Sequence, residues 1–341
     1  VGRIVVISTG GTIASRRQGA GFAAAAGGGE VMATAPLPEG VSTEVVDLGS
    51  VNSARLTTRH QLTLLRTVHE VLEDPEVDGI VVTHGTDTLE ESAFLVDLHH
   101  DDPRPVVFTG AQLPLGAVDG DGPGNLHDAL LTAATTRGLG VVIVFDGKVH
   151  PARGTVKTQT LAPDAFADPS GARLGNIGFG RVAVLRRPLR PAALPLPAVP
   201  ESAVPRVDMV MHHCDADALV FNAALGAGAR GIVLVATGAG NATPEIAEAV
   251  AAATFRGVLV ALTTRVQAGP VTEIYTCGGA VDLVAAGAVP TGTLRAGQAR
   301  IAVLSALLAT ADPREGERLL RHALGEPVAA DARPADLARV T

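Results

Sequence analysis

The sequence predicts an α/β protein: a larger N-terminal domain with a mostly parallel sheet flanked by helices, and a smaller C-terminal α/β domain. Three observations carry that prediction. Short β-branched runs recur, each followed by glycine or a polar turn and then by a helix-like segment. The runs are apolar throughout rather than alternating, as expected of strands that helices cover on both faces. A proline-rich stretch then divides the series in two.

In chain order the strand runs are RIVVIS at the start, GIVVT from Gly79, PVVFTG from Pro105 and GVVIVFDG from Gly140. After the proline-rich stretch come VDMVM, GIVLVATG and GVLVALTT. Between them, 60–73, 89–99, 125–137 and 243–256 are rich in Ala, Leu and Glu with three-to-four-residue apolar spacing, which predicts helices. From Pro188 to Pro205 there are six prolines in eighteen residues. Proline lacks the N–H that a helix or inner strand uses, so this segment reads as an extended linker. The expected division is a first domain over 1–190, a linker over 191–205 and a second domain over 206–341. The strands share no fixed period, so a repeat architecture is not expected.

Residues 15–35 hold seven Ala and five Gly and give no firm strand or helix signal. They read as a long loop after the first strand, either a plain surface loop or a lid over the carboxyl edge of the sheet.

At 341 residues, with 47% hydrophobic and 18% charged residues, the chain is long and apolar enough for two domains with large cores. With 3% aromatic residues and no Trp, those cores must be built from Ala, Val, Leu and Ile. A formal charge of −8 and no basic run longer than Arg186–Arg187 argue against a nucleic-acid partner. Cys214 and Cys277 form neither a disulfide framework nor a metal knuckle and read as free thiols. No apolar run approaches the roughly 20 residues needed to span a bilayer, so no membrane partner is expected. The sequence opens directly on a strand rather than a leader, which favours the cytoplasm, although a mature secreted chain would look the same.

Ligands of open α/β sheets bind beyond the carboxyl ends of the strands, so the polar residues at those ends matter most. The first strand ends in Ser8, Thr9, Gly10, Gly11 and Thr12; GIVVT runs into THGTDTLEES, with Thr86 and Asp87; GVVIVFDG leads to Arg153 and Lys157. Each type has a task if the substrate is a small amide. A threonine hydroxyl becomes a nucleophile when a neighbour takes its proton. A lysine can be that neighbour if its surroundings lower its pKa. Gly10 and Gly11 would let backbone N–H groups approach a developing oxyanion, and Asp87 would pair with a substrate ammonium. The plainer alternative makes Thr86 or Asp87 a helix cap with Glu90 or Glu91 as its capping-box partner. TGGT alone is weak, since it lacks the endings of a Walker motif and of a dinucleotide fingerprint.

Taken together, STGGTIAS (8–15) and VTHGTDTLEESA (82–93) resemble the two signatures of the bacterial-type L-asparaginase family, whose members use a threonine nucleophile. VVDLGS, PVVFTGAQLP, DGPGNLHDAL, ARGTVKTQT, TGAGNATPE and AGAVPTGTLRAGQAR extend the resemblance over essentially the whole chain. The resemblance implies an amidohydrolase that converts L-asparagine to L-aspartate and ammonia through an acyl-threonine intermediate. It implies Thr12 as nucleophile, a Thr86–Lys157–Asp87 constellation, Asp87 for the α-ammonium, Ser50 for the α-carboxylate and Gly11 beside the substrate. It also implies a homodimer or homotetramer, with sites completed by a neighbouring subunit, and no metal or organic cofactor. Three positions depart from the family pattern. The lid segment has Phe22 but no tyrosine, Val51 stands where a glutamine is common, and Thr243 replaces an asparagine. A preference for glutamine or a related amide is the nearest alternative, and an amino-acid-binding protein without turnover is the alternative of a different class.

Two clusters rich in metal-capable residues, LHHDDPRP (98–105) and MHHCDAD (211–217), lack the spacing that turns ligands towards one point. The first reads as a helix end, where a charged histidine would suit the C-terminal dipole. RLLRHAL (318–324) reads as an amphipathic C-terminal helix.

Overall fold

The computed structural model describes residues 2–197 and 203–325; residues 198–202 of the expected linker and 326–341 of the expected second domain lie outside the described residues. In the first part β1 (Gly2–Gly10), β2 (Ser15–Gln18), β3 (Gly21–Ala24), α1 (Gly28–Met32), β4 (Val41–Val51), α2 (Thr58–Leu72), β5 (Gly79–Thr83), α3 (Leu89–His99), β6 (Val106–Thr109), α4 (Gly122–Thr135) and β7 (Val141–Phe145) follow one another. Then come β8 (Lys148–Pro151), β9 (Val156–Lys157), β10 (Phe166–Ala167), β11 (Gly175–Gly178) and β12 (Arg181–Val184).

Eight of these strands form one sheet in the order β12-β11-β8-β7-β6-β5-β1-β4. From β4 through β7 all pairings are parallel, while β8, β11 and β12 extend the sheet in antiparallel fashion. The chain leaves β1 for one neighbour, β4, and returns on the other side to β5. In such a sheet the crevice beyond the carboxyl ends of β1 and β5 lies where the winding reverses, and ligands bind there.

The faces of the sheet are covered unequally. Ile4, Val6, Val81, Val107 and Val142 pack with Leu126 and Leu130 of α4. Val5, Ile7, Ile80, Val82 and Phe108 pack with Leu62 and Leu65 of α2 and with Phe94 of α3. The second cluster continues into the second part of the chain through Ile301, Leu304, Val233 and Val235. This explains why α3 is apolar nearly all round: its other side is covered as well.

The second part contains β13 (Val207–Met211), α5 (Leu219–Gly226), β14 (Gly231–Ala236), α6 (Pro244–Phe255), β15 (Leu259–Thr264), α7 (Ala280–Ala285), β16 (Val289–Pro290), α8 (Ala296–Ala309) and α9 (Pro313–Leu324). Its four strands form a smaller parallel sheet in the order β13-β14-β15-β16. Phe221, Ile246 and Val250 cover one face, and α8 packs on β14 and β15 from the other while also touching α3. The expected α/β class, with a large mostly parallel sheet and a smaller parallel one, is the class observed.

Two expectations need correction. Residues 15–35 are not structureless: β2 and β3 form an antiparallel hairpin and α1 follows, anchored where Asp47 accepts the Gly28 N–H at 2.9 Å. The carboxyl end of α3 holds no charged histidine. His99 is 3% exposed and donates or accepts inside the protein, against Leu194, Pro195 and Ser305. Burial pushes its pKa down to about 4, so it is neutral at pH 7. The chain turns back directly after β7 into β8. Asp146 and Gly147, with φ of 50° and 66°, form the tight turn of a β7–β8 hairpin.

Among the described residues, no helix is long and apolar enough to cross a membrane, and no group of three or more His, Cys, Asp or Glu could hold a metal ion.

Candidate active site

β1 ends in two glycines because the chain there must do what a side chain forbids. Gly10 and Gly11 have φ of 98° and 87°, in the region that glycine alone enters cheaply. A Cβ on Gly10 would stand 2.3 Å from Val51 N, and one on Gly11 would stand 2.2 Å from Gly85 Cα. The backbone after β1 therefore lies against the end of β4 on one side and the loop after β5 on the other. Thr12 opens a single 3-10 turn, Thr12–Ala14, directly after that contact, and its side chain is partly exposed. Ser15 locks the turn by donating its hydroxyl to the Gly11 carbonyl at 2.9 Å.

The Gly11 N–H donates to the Val51 carbonyl at 3.0 Å. That group is committed to the scaffold, so any backbone N–H that the two glycines let approach an oxyanion is another one. Gly11 instead serves by letting the two loops touch.

The loop after β5 presents His84, Gly85, Thr86 and Asp87 before α3 begins. The capping alternative is not realised. Thr88 is the N-cap residue and its hydroxyl donates to the Ser53 carbonyl at 3.0 Å. The Asp87 N–H donates to Ser53 Oγ at 3.2 Å. Thr86 and Asp87 are thus free to turn their side chains elsewhere. Lys157 donates its ammonium to Thr86 Oγ1 at 2.8 Å and to Asp87 Oδ1 at 3.0 Å. The lysine side chain is 19% exposed and the aspartate 55% exposed, so the constellation opens to solvent on its Asp87 side.

Ser50, at the end of β4, has a buried hydroxyl with no hydrogen-bond partner among the described residues, beside the Val51 that receives Gly11. Such a group costs free energy unless a ligand or water satisfies it. Arg153, from the same segment as Lys157, goes another way: it donates to the Ala323 carbonyl at 2.7 Å and lies 5.0 Å from the Phe94 ring centroid.

Four residues that sequence reasoning did not single out as parts of this site shape it. Ser53 supports Asp87 and Thr88, as above. His84 is fully buried, and its Nδ1 lies 2.8 Å from the Gly85 carbonyl. That nitrogen carries the proton, and burial lowers the pKa of the ring to about 4. Glu90 accepts the Lys157 N–H at 2.5 Å. Burial first, and then the neighbouring Glu91 charge, raise its pKa to about 7 against the opposing pull of Lys157. Gln298 holds the segment before Lys157, as described below. Glu90 had a visible signal, an acid in the first turn of α3, but its partner, a backbone N–H 67 residues away, had none. A cavity of about 290 Å³ lies behind Lys157, lined by Glu90, Arg265, Arg295 and Gly297.

Residues 3–190 match the family described as Asparaginase, N-terminal, and residues 206–320 match the Glutaminase/Asparaginase C-terminal domain. An L-asparaginase of Bacillus licheniformis is 35% identical over 84% of this chain and 89% of its own. A protein of Pseudomonas aeruginosa named glutaminase-asparaginase is 29% identical over 78% of this chain and 76% of its own. The crystal structure of a probable cytoplasmic L-asparaginase from Campylobacter jejuni superposes with a TM-score of 0.83 at 27% identity, covering 94% of this chain and 99% of that one. On both domain matches and these relatives, the chain belongs to the asparaginase family.

Proposed function

We propose that this protein is an L-asparagine amidohydrolase acting by double displacement, with Thr12 as the nucleophile. The observation that carries the reading is the Lys157 ammonium bonded to both Thr86 and Asp87, beside a backbone contact that brings Thr12 to the same crevice.

In the first step Thr12 Oγ attacks the side-chain amide carbon. The C–N bond breaks, the hydroxyl proton goes to the departing nitrogen, and ammonia leaves an ester on Thr12. In the second step a water molecule attacks that ester. The Thr86 hydroxyl, held by the Lys157 ammonium, takes a proton from that water and passes its own on; as the ester C–O bond breaks, the Thr12 oxygen regains a proton and aspartate leaves. Asp87, exposed and acidic, receives the substrate α-ammonium. The partnerless Ser50 hydroxyl donates to the α-carboxylate. No step calls for a metal or organic cofactor.

Turnover of glutamine is a second reading, supported by the relative named glutaminase-asparaginase. Assembly into a homodimer or homotetramer, with a neighbour completing the site, is supported by the open rim at Asp87 and by exposed apolar residues on the smaller sheet domain. These include Met209 and Met211 on the edge strand β13, and Leu219 and Val220 of α5. A cytoplasmic location is supported by the description of the Campylobacter relative.

The experiment is ammonia release from L-asparagine and L-glutamine, repeated on dilution. Asparagine turnover that falls as the assembly dissociates is expected. A chain that binds aspartate and releases ammonia from neither amide would contradict the enzyme reading.

A further inference from the structure

Lys157 must place its ammonium within hydrogen-bonding distance of Thr86, yet it stands on a strand of only two residues, Val156–Lys157. The segment leading to it, from Ala152 to Thr155, runs between β8 and β9 and turns at Gly154, where φ is 85°. Three backbone polar groups of that segment, the two carbonyls buried and the N–H partly so, find their partners in one side chain. Gln298 Oε1 accepts the Gly154 N–H at 2.8 Å, and Gln298 Nε2 donates to the carbonyls of Ala152 at 2.7 Å and Thr155 at 3.0 Å. Gln298 belongs to α8, in the smaller sheet domain, and is wholly buried.

We propose that Gln298 is a positioning residue for Lys157, through which the smaller domain sets the reach of the lysine in the larger one. The proposal rests on the reading of Lys157 given above. The amide is suited to the task because one group supplies an acceptor and two donors in a fixed plane, matching one N–H and two carbonyls of an irregular turn. Glu90 holds the far end of the same segment through the Lys157 N–H. With both anchors in place the lysine backbone is fixed from two sides, one from each domain. Without Gln298, two buried carbonyls and a partly buried N–H lose their partners, and the segment relaxes to recover them elsewhere. A displacement of about 1 Å at a reacting group costs roughly 100-fold in rate. The contact proposed for Ser50 lies on another segment, and Asp87, though it loses part of its Lys157 bond, keeps its backbone held by Ser53 and its charge for the substrate.

The test is kcat and KM for ammonia release from L-asparagine by Gln298→Leu, Gln298→Glu, Ser305→Ala and Lys157→Met, each checked for folding by thermal unfolding. Gln298→Leu is expected to lower kcat by about 10- to 100-fold with KM within about threefold. Ser305, two turns further along α8, is buried and bonded to His99 Nε2 at 3.3 Å. Ser305→Ala is expected to lower the melting temperature while kcat stays within about twofold of wild type.

Gln298→Glu serves if the leucine variant does not fold. Ionised, its carboxylate faces the Ala152 and Thr155 carbonyls; protonated, it can donate to one of them. Its kcat relative to wild type should therefore rise as the pH falls from about 8 to about 6.

A folded Gln298→Leu or Gln298→Glu enzyme with wild-type kcat at every pH overturns the proposal. So does a Ser305→Ala enzyme that loses as much kcat as Gln298→Leu. Lys157→Met separates the two levels. Turnover that survives it refutes the reading of the site and takes the proposal with it. Turnover that is lost there but kept in Gln298→Leu leaves the site standing and removes the positioning role alone.

Discussion

Gly11 and Gly85 meet backbone to backbone, so closely that a methyl group on Gly11 would stand 2.2 Å from Gly85 Cα. Each glycine precedes a threonine of the candidate site. The contact between them, rather than any side-chain pairing, brings the Thr12 turn to the Thr86 loop.

Gly11→Ala should therefore damage both stability and turnover. The added Cβ meets backbone, which cannot move aside, and its φ of 87° is unfavourable for alanine. A loss of about 2–4 kcal/mol in stability and a fall in kcat of about 100-fold are expected. Gly19→Ala is the control: φ is 58° there, but an added Cβ meets nothing within 4 Å. It should cost only about 1 kcal/mol and leave kcat unchanged, as urea unfolding and steady-state kinetics would reveal.

Asp87→Asn keeps the shape of the side chain and removes the charge offered to the substrate ammonium. KM for L-asparagine should rise about tenfold or more, with a smaller fall in kcat, because a charge-assisted hydrogen bond is worth about twice a neutral one. An unchanged KM would place the ammonium elsewhere.

Glu90 makes a pH-dependent contribution with a definite sign. Its carboxyl is raised from 4.5 to about 7 in the folded protein. Below the unfolded value both states are protonated. As the pH rises towards 7 the unfolded chain ionises first, so stability is lost, by about 3 kcal/mol at most. Glu90→Gln keeps an acceptor for the Lys157 N–H and abolishes the titration. The stability of the variant minus that of wild type should therefore grow between pH 4.5 and about 7, as measured by urea unfolding across that range. A difference that stays flat would refute the burial effect assigned to this group.

His150 works in the opposite direction. It is 5% exposed, neither ring nitrogen has a partner among the described residues, and its pKa falls from 6.5 to about 4, through burial and then through the nearby positive charges of Lys148 and Arg173. A depressed base contributes stability that is complete above its unfolded value and is lost as the pH falls through the folded one. His150→Leu should remove that loss and gain about 2 kcal/mol at about pH 5 relative to its effect at about pH 8. Equal effects of the substitution at both pH values would show that the ring is not held neutral.

Much of the fold was legible because a parallel sheet buried on both faces leaves continuous apolar runs, and GIVVT, GVVIVFDG and GIVLVATG are such runs. The β7–β8 hairpin carried a signal in Asp146–Gly147 that the apolar run before it obscured. The hairpin at 15–24 carried none, since its strands, SRRQ and GFAA, have one aromatic and no β-branched residue between them and its pairing is local backbone geometry. Within the site, Thr12, Thr86, Asp87 and Lys157 stood out by residue type at strand ends. Gln298 and Ser53 did not. Each acts through hydrogen bonds to backbone groups far away in the sequence, and such groups look alike at every residue. Gly10 and Gly11 were read as letting backbone N–H groups approach an oxyanion; that the Gly11 N–H itself is taken by the Val51 carbonyl could be known only from the register of β1 on β4.

The most direct test of the central claim is ammonia release from L-asparagine by wild type and by Thr12→Ala, with Thr86→Val alongside. Removing the nucleophile of a concerted group should lower kcat by several orders of magnitude, roughly 10⁴-fold or more, with the fold and aspartate binding retained. Thr12→Ala turnover within about tenfold of wild type would contradict the claim and assign the attack to Thr86.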